Sequence, residues 1–179
     1  MDRVVRALLV VSDGSHHVEA GTPLGEDAAM SAPLDIPAHL FTCIDHVGVA
    51  VPDLDEAIAL YRDSFGMEVV HQETNEEQGV REAMVAVGSS GSCIQLLAPI
   101  DETSTIAKFL DRSGPGLQQL AYRVTDVEQV SAILRERGIR LLYDAPKRGT
   151  AGSRINFIHP KDAGGVLVEL VQPSADGAH

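Results

Sequence analysis

Four polar side chains interrupt apolar stretches of this 179-residue chain, and their spacings match in pairs. His46 stands in Ile44-Asp45-His46-Val47-Gly48-Val49 and Gln119 in Leu117-Gln118-Gln119-Leu120-Ala121-Tyr122. Gln95 stands in Ile94-Gln95-Leu96-Leu97 and Glu169 in Val168-Glu169-Leu170-Val171. From His46 to Gln95 is 49 residues, and from Gln119 to Glu169 is 50. One imidazole, two amide oxygens and one carboxylate form a donor set of borderline hardness. It suits Co²⁺, Mn²⁺, Ni²⁺, Zn²⁺ or Fe²⁺ in open octahedral coordination better than a tetrahedral structural zinc, and leaves about two positions for a chelating substrate. Taken singly, each of the four also fits a hydrogen-bonded core polar group; their symmetric placement is what argues for a metal centre. A fifth residue, Glu82, shares a strand face with Val80, Met84 and Ala86. A carboxylate on such a face titrates high and suits a general base, the competing role being a salt bridge to a nearby arginine.

The elements that must position these groups follow from the repeat. Two similar segments about 73 residues apart in the chain, from His46 to Gln119, mean two copies of one supersecondary unit. In the first copy, residues 44–51 alternate with the period of a strand, and Asp53 is placed to cap a helix carrying Leu54, Ala57, Ile58, Tyr61 and Phe65 inward until Gly66. Strands are expected at 69–73, 81–88 and 93–97. The second copy repeats this with Asp126 at the cap, Val127, Val130, Ile133 and Leu134 inward, Gly138 at the stop, and strands at 140–144, 154–159 and 166–172. A short capped helix is expected at 104–111 between the copies. The fold class is therefore α+β: two tandem βαβββ modules forming one curved mixed sheet around a half-open, metal-containing cup. If the first and last strands of each module are neighbours, His46, Gln95, Gln119 and Glu169 converge on its floor. Glu82 precedes Gln95 by 13 residues and Asn156 precedes Glu169 by 13, so Glu82 and Asn156 are expected to be equivalents, both aimed into the cavity.

The expected organisation is a poorly ordered extension at 1–41, one domain at 42–173 (modules 42–100 and 117–173, linker helix 103–112) and a tail at 174–179. Within the extension, the apolar run 4–11 is short and broken by Arg6, so neither a membrane span nor a secretory signal fits. His16-His17 reads as a solvated pair, and Met30 as an alternative start. A net charge of −12 excludes nucleic acid and anionic membrane as main partners. Against that background Lys147, Arg148 and Arg154, around Gly149-Thr150-Ala151-Gly152, form either a counter-field for an anionic ligand or an ordinary solvated turn. Cys43 and Cys93 lack CxxC spacing and read as small buried hydrophobes of a cytoplasmic protein.

Ile44-Asp45-His46-Val47-Gly48-Val49-Ala50-Val51-Pro52-Asp53 and the duplicated pattern resemble the vicinal-oxygen-chelate, or glyoxalase-like, superfamily. Within it, Glu76-Glu77-Gln78-Gly79-Val80, Leu96-Leu97-Ala98-Pro99, Ser104-Thr105-Ile106-Ala107-Lys108-Phe109-Leu110, Arg154-Ile155-Asn156-Phe157-Ile158-His159-Pro160-Lys161 and Gly165-Val166-Leu167-Val168-Glu169-Leu170 are similar to the methylmalonyl-CoA epimerase family, from about Thr42 to Pro173. The resemblance implies a cytoplasmic homodimer of propionate metabolism that interconverts (2R)- and (2S)-methylmalonyl-CoA by proton transfer at C2. By the same resemblance His46, Gln95 and Glu169 are metal ligands, Co²⁺ first among the ions. Glu82 is a catalytic base and Glu169 the candidate for the opposite one, while Lys147, Arg148 and Arg154 are candidate coenzyme A contacts. The family usually carries a His-His pair where this chain has Gln118-Gln119; Gln119 is expected to ligate through its amide oxygen. The alternatives on the same scaffold are a glyoxalase-type isomerase of a glutathione or thiol adduct, a ring-cleaving dioxygenase, and a metal-free small-molecule-binding protein. A dioxygenase would want two histidines and one carboxylate. With no Trp and 4% aromatics, the chain is poorly equipped to stack a drug.

Overall fold

The computed structural model describes residues 35–175. The apolar run at 4–11, His16-His17, Met30, the rest of the expected extension up to residue 34, and residues 176–179 of the tail lie outside the described residues. The folded part begins earlier than expected: Leu40 is fully buried and, with Ile36 and Phe41, packs into the core beneath the second module's helix.

Eight strands, β1 (Phe41–Ala50), β2 (Val69–Asn75), β3 (Val80–Ala86), β4 (Cys93–Pro99), β5 (Gly116–Val124), β6 (Lys147–Arg148), β7 (Arg154–Ile158) and β8 (Val168–Gln172), form one sheet in the order β2-β3-β4-β1-β5-β8-β7-β6. Within each module the first and last strands run parallel side by side, β1 with β4 and β5 with β8, and β1 pairs antiparallel with β5 to join the modules. This neighbour relation is the one on which the convergence of the four polar residues depends.

Helices α1 (Leu54–Phe65) and α3 (Val127–Glu136) cover the outer face, one per module. Both start where the caps predict: Asp53 accepts from the Glu56 N–H at 2.9 Å, and Asp126 from the Gln129 N–H at 2.8 Å, each satisfying an otherwise orphaned donor. Gly66, at φ 65°, ends α1 in the left-handed conformation. Leu54 and Ala57 bury against Ala83, Val85, Leu96 and Ala98, and Val127, Val130 and Leu134 against Val124, Val168 and Leu170. Phe65, expected inward, is exposed and lies edge-on to Tyr61. Helix α2 (Thr105–Ser113), capped by Ser104, lies on the other face, with Ile106 buried among Ala50, Val80 and Leu97.

Three further expectations need correction. The strand expected at 140–144 is reduced to a single bridge, Leu141 to Ile158, and pairing resumes only at β6. Pro146 cannot donate to a ladder and restricts the residue before it. The Asn156 side chain takes over, accepting from the Tyr143 N–H at 3.2 Å and donating to the Tyr143 carbonyl at 3.1 Å. Asn156 itself therefore lies on the α3 side, reaching Ser131, rather than in the cup. Since Met84 pairs with Gln95 but Phe157 with Glu169, the equivalent of Glu82 is Ile155. The second hairpin is one residue longer, and a one-residue slip reverses every face. Finally, Cys93 is buried but Cys43 is exposed.

Candidate active site

The inner face of the sheet forms the expected cup, a cavity of about 230 Å³ whose lining includes Gln95, Gln119, Thr150, Ile155, Phe157 and Glu169. Period 2 brings His46 and Gly48 of β1 inward, and Gly48 stands directly opposite Gln119. A Cβ on Gly48 would lie 2.6 Å from Gln119 Cγ, so only glycine leaves room for the amide. The β1–β5 register slips between Gly48 and Val49, where β1 residues 48 and 49 face Gln119 and Leu117. Gln118 is the extra residue of this bulge, and it too lines the cup.

His46, Gln95, Gln119 and Glu169, all predicted from their spacing, meet as one buried cluster. The Gln119 amide nitrogen lies 2.5 Å from Glu169 Oε2, 3.2 Å from Gln95 Oε1 and 3.5 Å from His46 Nε2. His46 Nε2 is also 3.1 Å from Glu169 Oε2. One imidazole nitrogen, one amide oxygen and one carboxylate oxygen thus converge on a point held by an electropositive N–H₂ group. These are the donor types and the convergence that a divalent cation requires, and a half-turn of the Gln119 amide presents its oxygen as a fourth donor. The residues fit a metal ion.

Support beneath the cluster comes from residues the spacing did not reveal. Asp45, the extra residue where the register slips between Ile44 and His46, is buried with its Oδ1 2.9 Å from His46 Nδ1. Arg123 Nε donates to Asp45 Oδ2 at 2.6 Å. This arrangement fixes the ring so that Nε2 faces the cup. Burial opposes charge on His46, yet the hydrogen bonds to Asp45 and Glu169 outweigh it and raise the imidazole to about 9. Burial also opposes charge on Asp45, and its bonds to His46 and Arg123 prevail, holding the carboxyl below its usual range. The only sequence signal for this pair was an aspartate beside a histidine inside a strand.

Glu82 lies on β3 directly behind the cup's lining, paired with Leu97 and covered by Gln95 and Thr150, and is 1% exposed. Gln95 Nε2 donates to its Oε2 at 2.8 Å, and Thr150 Oγ1 donates to its Oε1 at 2.9 Å while accepting from Gln95 at 2.9 Å. Burial raises its pKa most; the Thr150 bond works against this, and the charges of Glu73 and Glu169 add to it, bringing it to about 7. No salt bridge holds it among the described residues: Arg81, its sequence neighbour, pairs with Asp55. Thr150 was missed as a site residue, although it is the one hydroxyl in the glycine-flanked loop singled out from sequence. It sits in a 3-10 turn at Thr150–Gly152, in which Ala151 takes φ 52°.

The three cations separate. Lys147 lines the cup, 3.1 Å from Glu77 and 4.7 Å from the Tyr143 ring centroid. Arg148 lies in an adjoining hollow with Glu73, Glu76 and Glu77. Arg154 points to the outer face and pairs with Glu128 of α3, because on β7 it alternates with the inward Ile155. It does not join the other two at the cup.

A family model described as the glyoxalase/bleomycin resistance protein/dioxygenase superfamily matches residues 45–157. The crystal structure of methylmalonyl-CoA epimerase from Mycobacterium tuberculosis is 58% identical, superposes with a TM-score of 0.75, and covers 79% of this chain and 95% of that one. A structure of methylmalonyl-CoA epimerase in complex with methylmalonyl-CoA and NH₄⁺ is 48% identical with a TM-score of 0.73, covering 78% of this chain and 99% of that one. The ethylmalonyl-CoA/methylmalonyl-CoA epimerase of Cereibacter sphaeroides is 38% identical over 131 residues, 72% of this chain and 96% of that protein.

Proposed function

The chain belongs to the glyoxalase/bleomycin resistance protein/dioxygenase superfamily and, within it, to the methylmalonyl-CoA epimerases, and from that premise we propose that it interconverts (2R)- and (2S)-methylmalonyl-CoA by moving the proton at C2. The observation that carries the reading is Glu82: a buried carboxylate, held by two hydrogen bonds to Gln95 and Thr150 of the cup's lining and raised to about 7, beside a converging donor set. C2 of the substrate lies between a thioester carbonyl and a carboxylate, so its proton is acidic enough for a carboxylate base and the charge left behind spreads into the carbonyl. Glu82 accepts that proton at one face. Thr150 and Gln95 hold the carboxylate in place, so little orientational freedom is lost as the proton transfers. Inversion requires a proton from the opposite face, and Glu169, delivered by the other module, is our candidate donor.

His46 Nε2, Gln95 Oε1, the Gln119 amide oxygen and Glu169 would hold a divalent cation, Co²⁺ first among the candidates. When bound, it would supply a Lewis acid for the two substrate oxygens. Ile155 and Phe157 make the opposite wall apolar and limit water near C2. Lys147 at the cup, with Arg148 beyond it, is placed to meet the negative charge of a coenzyme A tail. We further propose a cytoplasmic homodimer; sedimentation of the purified chain as a monomer would overturn the dimer. Among the described residues no helix is long and apolar enough to cross a membrane.

Proton NMR of the cobalt-loaded protein with methylmalonyl-CoA in D₂O tests the reading. Loss of the C2–H signal is expected, with exchange abolished or severely slowed in Glu82→Gln and after EDTA treatment. A cobalt-loaded wild type that leaves the C2–H signal intact overturns it.

A further inference from the structure

Two carboxylates that invert one centre must be reset after every turnover. Each conversion leaves one base protonated and the other ionised, and the same direction cannot run again until protons have passed through solvent. Glu82 is 1% exposed, and a ligand in the cup covers the direct way out. A row of polar groups leads from Glu82 to the edge of the sheet instead. Glu73 on β2 lies directly across from Glu82 on β3, so the two side chains share a face. As cross-strand partners the two carboxyl groups are neighbours on that face, and beyond burial the charge of Glu73 helps to raise Glu82. Glu73 Oε2 is in turn 2.6 Å from His71 Nε2. His71 lies two residues back on the same strand, its side chain is 31% exposed, and β2 is the edge strand. A single turn grips both carboxylates: the Thr150 hydroxyl donates to Glu82 and the Ala151 N–H donates to Glu73 at 3.2 Å. The left-handed φ of 52° at Ala151, costly for a residue other than glycine, accompanies this double grip.

Resting on the epimerase reading, we propose that Glu73 and His71 relay protons between Glu82 and water. The Glu82 O–H bond breaks as an O–H bond forms on the Glu73 carboxylate. That bond then breaks as an uncharged His71 ring gains a proton on Nε2, the imidazolium releases its Nδ1 proton to solvent, and a ring flip or proton exchange with water restores the starting tautomer. Run backwards, the same steps deliver a deuteron to Glu82 from D₂O. No electrons are transferred, and both relay residues return to their starting states.

The test uses cobalt-loaded full-length protein in D₂O, started in separate runs from (2R)- and (2S)-methylmalonyl-CoA. Product epimer is followed with time, and the deuterium content of recovered, unconverted substrate is measured by mass spectrometry. For the epimer whose proton Glu82 removes, deuterium in recovered substrate reports exchange at Glu82 before the proton returns. Glu73→Gln keeps an acceptor for the Ala151 N–H but cannot pass a proton. It should lower the ratio of substrate exchange to product formation about tenfold or more, and for one starting epimer only. His71→Asn, farther from the cup, should lower the same ratio. A purely structural role would slow exchange and conversion together and leave the ratio at its wild-type value, and that result in either variant overturns the relay. Wild-type protein that forms no product epimer overturns the epimerase reading itself, and the relay with it.

Discussion

At the residue scale the site is a compromise between stability and reactivity, with Glu82 at its centre. A buried carboxyl raised from 4.5 to about 7 prefers to stay protonated in the folded chain. Between these values the unfolded state has already released its proton, so stability falls as pH rises from about 4.5 to 7 and stays reduced above. In metal-free protein, replacing Glu82 by Gln should therefore raise the melting temperature at pH 8, by up to about 3 kcal/mol of stability. The gain should vanish as pH approaches 4.5, which a series of thermal melts against pH would check. The same variant in the cobalt-loaded form should lose about 10²-fold or more in kcat while still binding methylmalonyl-CoA, as calorimetry would measure. A variant that gains no stability at pH 8 would mean that burial does not penalise the ionised Glu82 carboxylate.

At the scale of elements, two small irregularities carry the design. Gly48 of β1 lies beneath Gln119 of β5, and an added methyl would sit 2.6 Å from Gln119 Cγ. Gly48→Ala should push the amide off the cluster and weaken cobalt binding about tenfold or more, read by competition with a chelator, while the circular dichroism spectrum stays native. On the other side of the sheet, Asn156 replaces a missing stretch of ladder by bonding both backbone groups of Tyr143. Asn156→Ala leaves those groups without partners and should cost about 1–3 kcal/mol in urea unfolding, with the m-value unchanged. If Asn156 faced the cup instead, its loss would fall on activity and spare stability.

At the scale of the whole molecule, the two modules share one centre. His46 and Gln95 come from the first, Gln119 and Glu169 from the second, so a cation held by all four ties the halves together. Cobalt at a hundredfold excess over its Kd should stabilise the fold by about 2.7 kcal/mol, seen as a rise of several degrees in the melting temperature that EDTA reverses. The duplication, the helix caps and the four converging residues were legible in the chain because they are set by local periodicity: a strand shows alternate residues to one face whatever surrounds it, and a cap needs only its own first turn. Glu82 was legible for the same reason, as a charge on an apolar face. The orientations of Asn156 and Arg154 were not, since one extra residue in the second hairpin reverses which side chains enter the cup. Asp45 and Gln118 escaped because bulges, which place them, depend on how two strands register rather than on either strand alone. Thr150 meets Glu82, and the Ala151 N–H meets Glu73, only when the turn at 150–152 folds over β2 and β3, contacts between segments 68 and 78 residues apart along the chain. Sequence by itself determined the modules, the cup and the residues on its floor; tertiary structure decided which polar groups hold those residues in place, because that choice depends on register and on contacts between distant segments.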